Sequence, residues 1–219
     1  MKTVLLDVDG TLINSNLYHA KAWSQAFADF GLSVSTEKIF PYIGMGGEKL
    51  IRALLPDIDE KKSRQLGDRH SEIFLKDYAC DVTATPGAHE LVIGLRDRNL
   101  EPVVATSAHK DELKVVLGAA GLDELFDSAI TADDVERSKP DPDLVSEALE
   151  KTQTAPNDAV MIGDTPYDIE AAHQARVATV ALLCGGRSAE DLRAAEAIYR
   201  DPASLLEHLD HICNLRLEH

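Results

Sequence analysis

Residues Val4-Leu-Leu-Asp-Val-Asp-Gly-Thr11 run an apolar strand straight into two aspartates and a threonine. On a strand, Asp7 and Asp9 point to the same face, because side chains alternate with a period of two. A buried strand has no structural use for two neighbouring carboxylates at its carboxyl end. They repel one another unless something cationic sits beside them. The carboxyl edge of an open α/β sheet is also where ligands bind. The stretch therefore predicts a Mg2+ and phosphate site at the end of the first strand.

Further strand-like runs follow at 102–106, around 128–131, at 159–162 and at 177–182. Helix-period segments lie between or after them, at about 86–99, 109–120, 142–152, 167–175 and 188–196. Strands alternating with helices predict an α/β fold with a doubly wound, Rossmann-like parallel sheet. The first crossover is far longer than one helix requires. Its residues are helical in pattern at 17–31, 36–41, 47–55 and 59–79, with turns at Gly31, Gly44–Gly47 and Pro56. The division expected is a catalytic core of residues 1–15 and 84–219 with a helical cap at 16–83.

The chain has 219 residues, 22 basic and 38 acidic, for a net charge of −16. That balance argues against nucleic acid and against an anionic membrane surface, which both need clustered Lys and Arg. An anionic substrate would need local positive charge from a metal and a few placed lysines. Cys80, Cys184 and Cys213 are widely spaced and carry no C-x-x-C pair, so reduced, buried thiols in a cytoplasmic protein are expected. The N-terminus does not read as a signal peptide, and Leu217-Glu218-His219 reads as the start of a tag scar. A monomer or weak homodimer is expected.

Four chemistry-bearing pieces fall at the carboxyl ends of strands or just beyond. They are Asp7, Asp9 and Thr11; Thr106 and Ser107; Lys139 in Arg137-Ser-Lys-Pro-Asp-Pro142; and Asp164 with Asp168 in Gly163-Asp-Thr-Pro-Tyr-Asp168. Any one of these aspartates alone is equally well read as a turn or helix cap. In this order the four resemble the motifs of the haloacid dehalogenase superfamily of Asp-dependent phosphohydrolases. Tyr18-His-Ala-Lys-Ala-Trp23 and the Gly-rich turn after it resemble the helical cap of its phosphoglycolate phosphatase and β-phosphoglucomutase branch.

The resemblance implies a phosphoric monoester hydrolase acting on small phosphorylated metabolites. Asp7 is then the nucleophile that forms an aspartyl-phosphate, and Asp9 the general acid and base. Mg2+ is held by Asp7, the Asp9 backbone carbonyl and Asp164, oxygen donors of the kind it prefers. Thr106 and Lys139 hold the phosphoryl oxygens, with Ser107 beside them, and Asp168 supports the metal shell or Lys139. His19 is either near the leaving group or simply packed, and Trp23 belongs to the cap core. The loop Ile43-Gly-Met-Gly-Gly-Glu-Lys49 faces the site in this family, with Gly46 and Lys49 as substrate contacts.

Three other readings remain open at this point. A β-phosphoglucomutase would carry an arginine where Gly46-Gly47 stands. A phosphonoacetaldehyde hydrolase would share the Met45-Gly-x-x-Lys49 string but lack Asp9. A phospho-ligand-binding module need not keep both Asp7 and Asp9.

Overall fold

The computed structural model describes residues 2–212 and Leu215. Cys213 and the 217–219 segment, both singled out in the sequence, lie outside the described residues. Six strands form one parallel sheet in the order β3-β2-β1-β4-β5-β6. They are β1 (Thr3–Leu6), β2 (Glu101–Ala105), β3 (Ala129–Ile130), β4 (Ala159–Gly163), β5 (Ala178–Leu182) and β6 (Ala197–Tyr199). β1 is central, in register with β2 from Thr3↔Glu101 and with β4 from Thr3↔Ala159. The chain reverses its winding at β1, so a crevice opens between the carboxyl ends of β1 and β4. Their burial on both faces explains why β1 and β4 read as unbroken apolar runs.

Among the described residues ten α-helices accompany the sheet. Four precede β2: α1 (Asn16–Asp29), α2 (Thr36–Ile39), α3 (Gly47–Leu54) and α4 (Glu60–Asp77). The others are α5 (Ala88–Asp97), α6 (Lys110–Ala120), α7 (Asp143–Thr152), α8 (Pro166–Gln174), α9 (Pro202–Leu206) and α10 (Leu209–Ile212). Within the first group α1 packs on α4 and α2, and α3 packs on α4. In α1, Ala20, Trp23 and Phe27 recur at helical spacing and are buried. Asp59 caps α4 by accepting a hydrogen bond from Lys62 N. Among the described residues no helix is long and apolar enough to cross a membrane.

Three expectations fail in detail. Residues 188–196 form turns, not a helix. Ser188 N and Oγ both donate to Asp191, which closes a helix-like first turn. The chain must then reach β6 beside β5, a sixth strand absent from the sequence reading. β1 ends at Leu6, so Asp7 and Asp9 stand past the strand and take different partners. Cys80 is exposed, not buried.

Truncating a fully buried aromatic leaves a cavity the neighbours fill only in part. Phe27, 0% exposed in α1, tests how far the helical insert depends on its own packing. We expect Phe27→Ala to cost about 3–5 kcal/mol in chemical denaturation. A midpoint equal to that of the wild type would contradict this.

Candidate active site

Lys139 is the centre of the site. It is 0% exposed, and its Nζ lies 2.6 Å from Asp7 Oδ1 and 2.8 Å from Asp168 Oδ1. It also donates to the Ala105 carbonyl at 2.8 Å, which ties it to the end of β2. Burial alone would lower its pKa, but Asp168 and Asp7 outweigh that and hold it above the usual lysine range. Asp168 does two jobs. One oxygen pairs with Lys139, and the other accepts from Thr165 N and Oγ1, closing the capping box that starts α8. Capping and ion pairing thus coexist in this residue.

Asp7 and Asp164 face each other across the β1–β4 crevice. One oxygen from each of Asp7, Asp164 and Asp168 lies within 4.8 Å of the other two. Thr11 Oγ1 donates to Asp164 Oδ1 at 3.2 Å, and Asn16 Nδ2 donates to Asp164 Oδ2 at 2.8 Å. Burial pushes Asp7 up to about 7 against the pull of Lys139, with Asp168 and Asp9 adding to the rise. Burial, then repulsion from Asp7 and Asp168, holds Asp164 well above the carboxylate range. A Cβ at Gly10 or at Gly185 would overlap the Asp164 carboxyl group, so glycine alone admits that side chain. Two buried carboxylates without enough positive charge between them, in an all-oxygen cradle, suit a hard divalent cation.

Asp9 faces the other way. Ser15 Oγ donates to its Oδ1 at 2.5 Å, and His19 Nε2 donates to the same oxygen at 3.1 Å. Burial raises Asp9, but His19 and Ser15 more than offset it and leave its pKa lowered. Burial lowers His19, and Asp9 reverses that to a net rise. His19 stacks on Phe74 with ring centroids 3.8 Å apart, and its Nδ1 is 3.4 Å from His70 Nε2. His70 stacks on Trp23 at 4.0 Å, and burial, with His19 beside it, keeps it well below the usual histidine range. Of the alternatives weighed for His19, the structure shows the packed one, and His19 also holds Asp9.

The remaining residues singled out in the sequence divide. Thr106 follows β2 and accepts from Ala108 N at 3.1 Å. Ser107 Oγ is buried without a hydrogen-bond partner among the described residues, an unmet donor just past the end of β2. Gly46 N donates to the Lys139 carbonyl at 3.2 Å, and a Cβ there would strike Ser138. Lys49 donates to the Ser138 carbonyl at 2.5 Å and pairs with Asp141, so its ammonium group is engaged by the loop that carries Lys139.

Two residues of this region carried no signal in the sequence. Arg187, after β5, donates to the Phe40, Pro41 and Ile43 carbonyls and clasps the helical insert to the sheet domain. Glu112, in the first turn of α6, is buried beside Asp9 and His19. Neither lies in a motif, because each acts across a tertiary contact.

A family model for haloacid dehalogenase-like hydrolases matches residues 4–182. The pyrophosphatase PpaX of Oceanobacillus iheyensis is 29% identical over 182 residues, covering 83% of each chain. The validoxylamine A 7′-phosphate phosphatase of Streptomyces hygroscopicus subsp. limoneus is 30% identical over 204 residues, covering 91% of this chain and 93% of the other. The crystal structure of a hydrolase from Pseudomonas syringae matches with a TM-score of 0.91 and 33% identity, over 97% of this chain and 99% of that one.

Removing one member of a buried ion pair leaves an uncompensated charge. Lys139→Met keeps most of the volume and deletes the ammonium group from between Asp7 and Asp168. We expect a loss of about 3–5 kcal/mol at neutral pH by chemical denaturation. An unchanged unfolding midpoint would show that the pair does not hold the sheet edge together.

Proposed function

This chain belongs to the haloacid dehalogenase-like hydrolases, and on that premise we propose that it is a Mg2+-dependent phosphatase. Its substrates are small phosphorylated metabolites of the phosphoglycolate or sugar-phosphate kind, and its intermediate is an aspartyl-phosphate. The observation that carries the reading is the pairing of Asp7 with the fully buried Lys139, opposite Asp164, at the carboxyl edge of the sheet.

An Asp7 carboxylate oxygen attacks phosphorus, and the bond from phosphorus to the leaving oxygen breaks. Asp9 gives the leaving oxygen a proton and later takes one from the water that attacks the aspartyl-phosphate, which releases inorganic phosphate and restores Asp7. His19 Nε2, hydrogen-bonded to Asp9 Oδ1, orients that carboxyl group and keeps a proton within reach of it. Lys139 fixes the attacking group, and Thr106 and Ser107 meet the phosphoryl oxygens. Asp7, the Asp9 carbonyl and Asp164 would hold the cation. When bound, Mg2+ offsets the negative charge of the transferring group.

Two features support hydrolysis of an ester over the other enzymatic readings. Asp9 is present and well held, whereas a phosphonoacetaldehyde hydrolase would lack it. Lys49, the candidate imine-forming residue of that reading, is occupied by Asp141 and the Ser138 carbonyl.

The test is turnover of a generic aryl phosphate. We expect Mg2+-dependent release of phosphate, abolished by a chelator and restored by added Mg2+. Asp7→Asn should fold like the wild type and lose at least about 10³-fold in kcat. Full activity in chelator would remove the metal from the reading, and substantial activity of pure Asp7→Asn would remove the nucleophile.

A further inference from the structure

His19 and Trp23 stand four residues apart on α1, and His70 and Phe74 four residues apart on α4. Residues at that spacing share one helix face. The two helices pack together, and the four rings pair across the contact. His19 stacks on Phe74 with centroids 3.8 Å and planes 13° apart, and Trp23 stacks on His70 at 4.0 Å and 11°. The first residue of each pair thus meets the second of the other, as antiparallel helices require. This makes neighbours of the two histidines, with centroids 5.5 Å apart and His19 Nδ1 3.4 Å from His70 Nε2.

Packing alone does not ask for a histidine at position 70. The residue is 7% exposed, and a buried polar ring costs free energy that a phenylalanine or leucine there would not. Burial, with His19 beside it, holds His70 well below the usual histidine range, so the ring is neutral. A neutral imidazole has one N–H and one acceptor nitrogen. Among the described residues, its Nε2 meets the His19 ring and no other side chain.

His19 is therefore engaged at both ring nitrogens. Nε2 donates to Asp9 Oδ1 at 3.1 Å, and Nδ1 shares a hydrogen with His70 Nε2. An imidazole held at one nitrogen can still swing about that contact. Held at both, and stacked flat on Phe74, it keeps one orientation. The bond made by the far nitrogen also sets which nitrogen carries the proton. Asp9 is the residue that gives and takes the proton in the reaction proposed above. Its hydrogen bond to His19 thus continues into the packed interior of the helical insert.

We propose that His70 is a positioning residue for the proton transfer: through His19 it holds the Asp9 carboxyl group aimed at the leaving oxygen. The inference rests on the phosphatase reading and adds to it a residue of the helical insert that reaches Asp9 only through His19. Geometry fixed in this way matters most when the leaving oxygen needs a proton as its bond to phosphorus breaks. A phenol of low pKa departs largely as its anion and asks little of Asp9. One of high pKa asks for the full transfer.

The experiment compares kcat/KM of the full chain with Mg2+ on phenyl phosphate and para-nitrophenyl phosphate, esters of similar shape whose phenols differ in pKa. His70→Phe keeps a ring against Trp23 and removes the nitrogen. We expect its loss on phenyl phosphate to exceed its loss on para-nitrophenyl phosphate by at least about tenfold, part of the roughly 10²–10⁴ that a positioned acid contributes. His70→Gln, whose amide can supply or accept the hydrogen, should return that ratio to within about threefold of the wild type. Equal losses on the two esters, or none, would show that the ring only packs, and overturn the inference while leaving the phosphatase reading intact. A glutamine variant as impaired as the phenylalanine one overturns it too. One measurement needs no variant to fold. NMR of the wild type with isotope-labelled histidine should show a ring N–H shared by His19 and His70, the rings identified by their contacts to Phe74 and Trp23. A His70 ring not bonded to His19 overturns the inference. If the wild type turns over neither ester, the phosphatase reading itself fails and takes the inference with it.

Discussion

A single lysine ammonium group, removed from water and shared by two aspartates, is the constraint on which the rest of this site depends. Lys139 binds Asp7 from the end of β1, Asp168 from the start of α8 and the Ala105 carbonyl from the end of β2. An isolated buried cation would be prohibitively expensive, so these partners share the work of holding it. The same contacts bring three strand ends to within a few ångströms of one another. Positioning of Asp7, the proposed nucleophile, and stability of the sheet edge are therefore one interaction. Buried ion pairs of this kind commonly contribute less to net stability than an apolar replacement would, which suits a pair retained for placement.

Around that centre the acidic groups divide into two sets with opposite electrostatics. Asp7 and Asp164 are both driven upward by burial and by repulsion from neighbouring carboxylates, the condition that a divalent cation relieves. Asp9 is driven downward by His19 and Ser15, so its charge is already balanced within the protein. Separating Asp7 from Asp9, only two positions away, requires the chain to leave β1 at Leu6 and turn. Gly10, at φ +80, makes part of that turn and leaves room for Asp164. His19 comes from the helical insert, so the surroundings of Asp9 are completed by a different part of the chain from the one that carries it.

The core motifs were legible because a polar residue at the end of an apolar run is a local anomaly. Asp7, Thr106, Lys139 and Asp164 each stand where a purely structural sequence would place a turn residue, and four such anomalies in strand order specify one sheet edge. The failures have an equally local cause. Residues 188–196 carry helical spacing in Leu192 and Ala195, yet Leu192 serves a small cluster with Ile169 and Ala181, and the chain must extend almost at once into β6. β6 itself is three residues of intermediate burial at the sheet edge, too short for periodicity to announce it. Arg187 and Glu112 were invisible for a different reason: nothing beside either in sequence hints at its partners.

Sequence by itself therefore determined five strands of the sheet, its double winding and the residues gathered at its carboxyl edge, since alternation of strand and helix with right-handed crossovers leaves few arrangements. It also determined that the long first crossover is helical. Tertiary structure alone decided what that insert does to the site. It turned Lys49 onto Asp141, set His19 against Asp9 and placed Glu112 beside both. Helical periodicity specifies which face of a helix is apolar, but it does not specify which polar group on another element that face will meet. Partner choice across the two parts of the chain is a property of three-dimensional packing.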